Sequence, residues 1–285
     1  MSNKTPYNFG GLPVKYSAYK DSHILVLPVP FDKTSSWIKG SDKGPQAIIN
    51  ASRNMERYDI ETDSEVYKKG IHTAKAITSA NVQTMVNKVR QKVSSALTDN
   101  RFVVLLGGEH TVSLGTIQAH AAFFNNFSIL HLDAHSDMRD SYEGDKYSHA
   151  CIMARVREIT ENIVSVGIRS TDSSELKNIN KQNTFYASTI HHSKTWMKQV
   201  VKNLSQNVYI TIDLDVFDSS LMPSTGTPEP GGLGWYEVLD LLEIVSKNKN
   251  IVGFDVVELC PSKNNMAPDF LAAKLIYKLL SLKFA

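Results

Sequence analysis

Ile129-Leu130-His131-Leu132-Asp133-Ala134-His135-Ser136-Asp137 opens as an apolar run and closes on acidic and imidazole side chains separated by single small residues. In extended backbone, successive side chains point to opposite faces, so positions 133, 135 and 137 share one side. A buried carboxylate is costly unless it is paired or coordinated. Three metal-competent groups at two-residue steps, on the exit of an apolar strand, therefore predict part of a metal site. His131 has the same parity but lies inside the apolar run. It is expected to be a hydrogen-bonded core histidine, not a ligand.

Working outward, Phe102-Val103-Val104-Leu105-Leu106 is a similar run that ends in Gly107-Gly108-Glu109-His110, and Val208-Tyr209-Ile210-Thr211-Ile212 ends in Asp213-Leu214-Asp215. Residues 23–29, 163–166, 184–186 and 251–256 read as further strands, with 65–73 a weaker candidate. Val82, Met85, Val86, Val89 and Val93 recur at helical spacing and predict a helix over 81–97. Other helices are expected from Pro45 (carrying Ile48, Ile49, Met55 and Tyr58), over 112–123, after His149, and over 196–204, 236–245 and 270–282. Strands alternating with helices predict an α/β fold, a mostly parallel sheet of about eight strands covered on both faces. Apolar runs without strict alternation fit strands buried on both sides. With no repeat, low-complexity segment or linker, residues 1–285 are expected to form a single domain.

The 285 residues are 42% hydrophobic and 21% charged, with a formal net charge of +2. That balance gives no strong field toward nucleic acid or a membrane surface. Two cysteines, Cys151 and Cys260, make no disulfide framework. The start of the chain lacks the apolar run of a signal peptide, and no window reaches the length of a membrane span. A cytoplasmic protein is expected.

In parallel sheets, ligands bind beyond the carboxyl ends of the strands. Three strand exits here carry His110, then Asp133, His135 and Asp137, then Asp213 and Asp215. Each set alone has a plainer reading: an Asp-x-Asp pair is often a turn or a helix cap. Together on one sheet edge they predict a metal centre. Two histidines and four aspartates exceed the needs of one tetrahedral ion. They suit two ions sharing carboxylates, ~3.5–4 Å apart. Oxygen donors with imidazole favour Mn²⁺, while Fe²⁺, Co²⁺ and Zn²⁺ also fit.

With these residues in hand, the chain resembles the ureohydrolase family, which includes arginase and agmatinase, over nearly its whole length. The resemblance is carried by 107–110, 132–137 and Ile212-Asp213-Leu214-Asp215-Val216-Phe217-Asp218. An early Gly44-Pro45-Gln46-Ala47-Ile48 and a late Val257-Glu258-Leu259-Cys260-Pro261 accompany them. It implies an arginase-like three-layer α/β/α fold with two Mn²⁺ per subunit. One ion would be held by His110, Asp133, Asp137 and Asp213, and the other by His135, Asp133, Asp213 and Asp215. It also implies hydrolysis of a guanidinium group to urea and an amine. In that chemistry Asp137 orients the nucleophile, Glu258 pairs with the guanidinium, and His149 in Ser148-His149-Ala150 passes a proton to the leaving amine. Without the resemblance, His149 reads as a helix-start or surface residue and Glu258 as an ordinary salt-bridge partner.

Thr225-Gly226-Thr227-Pro228-Glu229-Pro230-Gly231-Gly232 resembles the agmatinase branch, and the loop 138–148 lacks the asparagine- and serine-bearing pattern by which arginases hold an amino acid. The expected substrate is therefore agmatine, cleaved to putrescine and urea. Arginase, guanidinobutyrase and formiminoglutamase activities remain alternatives on the same metal core. A non-catalytic binding protein is disfavoured because every ligand, His149 and Glu258 are present. A one-zinc deacetylase is disfavoured by the paired aspartates. The family commonly forms trimers or hexamers, which implies a homo-oligomer. The chain departs from the family pattern at Ile49, Ala150, Ser219 and Cys260, of which Ala150 and Cys260 are expected to reshape the pocket.

Overall fold

The computed structural model describes residues 5–193 and 195–285. Eight strands form one sheet: β1 (Ile24–Val29), β2 (Ile71–Thr73), β3 (Phe102–Gly107), β4 (Phe127–Leu132), β5 (Ile163–Ile168), β6 (Thr184–Tyr186), β7 (Asn207–Asp213) and β8 (Asn250–Val257). Their order is β2-β1-β3-β8-β7-β4-β5-β6, and every pairing is parallel. Parallel neighbours need crossovers, which here carry most of the helices. These are α1 (Val14–Ser17), α2 (Gly44–Ser52), α3 (Val82–Thr98), α4 (Ser113–Phe123), α5 (Ile152–Arg157), α6 (Ala187–Ile190), α7 (Trp196–Asn203), α8 (Trp235–Asn248) and α9 (Ala267–Phe284).

Two apolar layers lie on the two faces of the sheet. One packs Val104, Leu130, Ile210 and Phe254 beneath α2, α8 and α9, and the other packs Leu105, Ile129 and Tyr209 beneath α3 and α4. Neighbouring residues of one strand thus enter opposite cores, so these strands show continuous apolar runs. Every residue of β1, β4 and β5 is buried. The α/β/α reading is correct, and all eight strands are parallel.

Several boundaries differ from the expectation. The helix from Gly44 ends at Ser52, so Met55 and Tyr58 lie beyond it; Met55 is still buried while Tyr58 is exposed. Residues 66–69 form a 3-10 turn, leaving only Ile71–Thr73 as strand. The strand expected over 163–166 runs on to Ile168, with Gly167 inside it at φ 96°, where the register against β6 shifts. A Cβ at Gly167 would lie 3.0 Å from the Asp133 carbonyl oxygen, so glycine serves both the positive φ and the close approach. Among the described residues, no helix is long and apolar enough to cross a membrane.

Candidate active site

The four central strands, β3, β8, β7 and β4, are adjacent, and the expected site residues leave their carboxyl ends side by side. His110 opens a 3-10 turn after β3, and Glu258 follows β8. Asp213 is the last residue of β7, with Asp215 in the turn beyond it, while Asp133, His135 and Asp137 follow β4. His149, at the start of a 3-10 turn before α5, lines the same pocket.

His110 Nδ1 lies 3.2 Å from Asp133 Oδ2, 3.2 Å from Asp137 Oδ2 and 3.6 Å from Asp213 Oδ2. His135 Nδ1 lies 2.9 Å from Asp215 Oδ2 and 3.6 Å from Asp133 Oδ1. Asp133 thus faces both imidazoles from the middle of the cluster, fully buried. Its Oδ1 accepts from the His135 amide at 2.6 Å, and its Oδ2 accepts from His131 Nε2 at 2.8 Å. Asp213 Oδ1 accepts from the Asp215 amide at 2.9 Å, and Asp215 Oδ1 from the Ala134 amide at 3.0 Å. These bonds hold the carboxylates against their mutual repulsion.

The donor set fits a divalent cation pair. Among the described residues, His110 Nδ1 is buried without a hydrogen-bond partner, although three carboxylates converge on it. On its other side, Nε2 lies 2.9 Å from Thr211 Oγ1, which donates to Asp255 Oδ1 at 2.7 Å. With the hydroxyl hydrogen committed to Asp255, Thr211 accepts from Nε2–H, so Nδ1 is the ring nitrogen available to a cation held among the carboxylates. Burial, together with Asp215 and Asp133, pushes the Asp213 carboxyl well above its usual range. Burial opposes a charged imidazole at His135, yet Asp215 and Asp133 raise it to about 12. Such crowding calls for cationic charge between the groups. Asp133, His135 and Asp215 form one compact set of donor atoms, and His110, His131 and Asp133 another. The second set includes His131, which is buried as expected but hydrogen-bonds Asp133 and so orients that carboxylate.

Asp137 and Glu258 hold positive φ values of 52° and 64°, uncommon for residues with a Cβ. Main-chain bonds keep both there. The Asp137 carbonyl accepts from Met153 at 2.9 Å, and the Glu258 amide donates to the Gly108 carbonyl at 2.8 Å. Gly108 admits this packing because a Cβ there would collide with the Phe31 carbonyl oxygen. Glu258 is buried, and burial with the nearby Glu109 charge raises its carboxyl well above the usual range.

Two partners of the site were not visible as such in the sequence. The Glu109 carboxylate accepts from the amides of Lys33, Thr34 and Ser35 at 3.0, 2.6 and 2.9 Å, which folds the loop after β1 over the pocket. Thr34 Oγ1 then accepts from the His149 amide at 2.9 Å. Burial lowers the His149 imidazole below its ordinary range, with Asp137 acting the other way. Glu109 stands in the Gly-Gly-Glu-His run, but nothing local marks a carboxylate that bonds a loop 75 residues earlier. Trp37, Tyr142, Asp172 and Thr227 also line the pocket, as does Ala150, one of the departures from the family pattern. Another departure, Cys260, lies outside that wall, its Sγ donating to the Lys39 carbonyl at 3.3 Å.

Residues 22–281 match the model of the arginase family. The N(1)-aminopropylagmatine ureohydrolase of Synechocystis sp. is 35% identical, over 93% of this chain and 90% of its own. The agmatinase of Pyrococcus horikoshii is 30% identical, over 92% and 93%. The crystal structure of the agmatine ureohydrolase of Thermoplasma volcanium superposes with a TM-score of 0.87 at 29% identity, covering 99% of this chain and 96% of that one.

Proposed function

The chain belongs to the arginase family of metal-dependent amidinohydrolases, and from that premise we propose that it hydrolyses the guanidinium group of agmatine-type substrates, agmatine itself yielding urea and putrescine. The observation that carries the reading is the convergence of six potential ligands and Glu258 on one edge of four adjacent strands. His110, Asp133, Asp137 and Asp213 would hold one Mn²⁺, and His135, Asp133, Asp213 and Asp215 the other. When bound, the cation pair supplies a water that loses its proton near neutral pH.

The chain's own residues do the remaining work. Glu258, fixed by the His110 amide, pairs with the planar guanidinium and sets the attack face. Asp137, beside His110, accepts a hydrogen bond from the nucleophile and aims it at the guanidinium carbon. His149, whose imidazole burial keeps below its ordinary range, takes the proton given up by the attacking oxygen and delivers it to the leaving amine nitrogen. The C–N bond then breaks, releasing urea and the amine.

A second reading, N1-aminopropylagmatine as the preferred substrate, is favoured by the relative from Synechocystis sp.. Both substrates carry a cationic tail and no carboxylate, in keeping with the loop 138–148. Urea release from agmatine, N1-aminopropylagmatine, 4-guanidinobutyrate and arginine by Mn²⁺-loaded protein tests the reading. Cleavage of either polyamine-type guanidine well above arginine is expected, and the reverse order excludes it.

A further inference from the structure

We propose that Arg169 and Glu229 are positioning residues for the His135–Asp215 half of the cation centre, an inference that rests on the two-cation reading above. Arg169 follows β5, and its side chain reaches over the exits of the neighbouring strands. Nη2 donates to the carbonyls of Asp215 at 2.6 Å, Glu229 at 2.9 Å and Phe217 at 3.3 Å. Nε donates to Pro230 at 3.1 Å and Nη1 to Gly167 at 3.1 Å. Its own main-chain amide donates to the Ala134 carbonyl at 2.8 Å. One residue therefore ties the segment carrying His135, the segment carrying Asp215 and the loop carrying Glu229.

Ion pairing does not explain this placement. Among the described residues, no carboxylate lies within 4.0 Å of the Arg169 guanidinium. Its fork of donors is spent on carbonyls, a geometry that a lysine, donating from a single nitrogen, cannot span. The anchored loop then brings Glu229 to the centre: its Oε1 lies 3.9 Å from His135 Nε2. His135 Nδ1 faces Asp215, so a cation bound there requires the tautomer with hydrogen on Nε2. A carboxylate on the Nε2 side favours that tautomer by its charge.

The two imidazoles are thus supported differently. Behind His110 stand Thr211 and Asp255, which are paired residues of adjacent buried strands. Behind His135 stands a half-exposed glutamate on a loop whose main chain Arg169 holds. Weakening that loop is expected to loosen one cation and spare the other.

The test is Mn²⁺ binding by wild type, Arg169→Lys and Glu229→Ala, with metal content measured at defined free Mn²⁺ and the electron paramagnetic resonance spectrum recorded at each loading. Wild type should bind two ions with a spin-coupled spectrum. Both variants should keep one ion and bind the second about 10- to 100-fold more weakly. At sub-saturating Mn²⁺ they should show the uncoupled spectrum of a single ion, and excess Mn²⁺ should restore coupling. A purely architectural role would weaken both ions together. Equal weakening of both ions, or a second ion bound as tightly as in wild type, overturns the inference. Glu229→Ala carries the test if Arg169→Lys folds poorly. A wild-type chain that binds fewer than two ions overturns the two-cation reading, and this inference with it.

Discussion

The main-chain amide of His110 donates to Glu258 Oε1 at 2.6 Å, joining the turn that follows β3 to the residue after β8. The pairing follows from strand order: β3 and β8 are neighbours although about 150 residues separate them in sequence. It places the carboxylate proposed to read the guanidinium against the residue proposed to hold a cation.

Replacing Glu258 by Gln should leave two Mn²⁺ bound and lower kcat/KM by roughly 10- to 150-fold, the equivalent of a lost charge-assisted contact of about 1.5–3 kcal/mol. Metal analysis with steady-state kinetics checks this. Metal loss in proportion to activity would mean that Glu258 supports the cations instead of the substrate.

Asp133 and Asp213 should behave in the opposite way. Asp133 contacts both imidazoles, and Asp213 lies 3.6 Å from His110 Nδ1 while bonding the Asp215 amide. Asp133→Asn or Asp213→Asn should abolish activity together with stoichiometric Mn²⁺ binding, read by metal content after dialysis.

His149 stands beyond the carboxylate cluster and is held by Thr34. His149→Asn should lower kcat by about 10²- to 10⁴-fold, the usual contribution of a positioned proton-transfer group, with both cations retained. A change confined to KM would reassign His149 to substrate binding.

Remote from the site, Lys278 Nζ lies 2.7 Å from Asp59 Oδ1 and also pairs with Glu61, with the Asp59 and Lys278 side chains buried. Lys278→Met should destabilise the fold by about 3–5 kcal/mol, because it leaves the buried carboxylate unpaired. Burial opposes both charged forms, but the pairing outweighs it, lowering the Asp59 pKa and raising that of Lys278. The contribution of Asp59 is present above the ordinary aspartate pKa and is lost as pH falls through its lowered folded value. That of Lys278 is present below the ordinary lysine pKa and is lost as pH rises through its raised folded value. The difference in unfolding midpoint between wild type and Lys278→Met should therefore be greatest near neutral pH and shrink toward both extremes.

Much of this site was legible in the sequence because the groups follow apolar runs that can only be buried strands. The exits at His110, Asp133 and Asp213 show themselves locally, and a parallel sheet places all three on one edge. Glu258 and His149 carried no such local signal; only the family resemblance marked them. What stayed hidden depends on which strands become neighbours. Thr211 and Asp255 support His110 because β7 pairs with β8 in that register, and no local pattern announces the pairing. His131 was correctly placed in the buried strand, but its bond to Asp133 appears only once the chain turns at Asp133. The positive φ at Asp137 and Glu258 was equally invisible, since neither position is glycine and their tertiary contacts impose it.

The central claim, a two-cation hydrolase for guanidines without a carboxylate, is tested most directly by urea release from agmatine, N1-aminopropylagmatine and arginine under identical Mn²⁺ loading, with bound metal counted in the same samples. The account predicts two Mn²⁺ per chain and a kcat/KM for agmatine or its aminopropyl derivative far above that for arginine. Arginine cleaved as well as either amine, or urea released without bound cations, would contradict it.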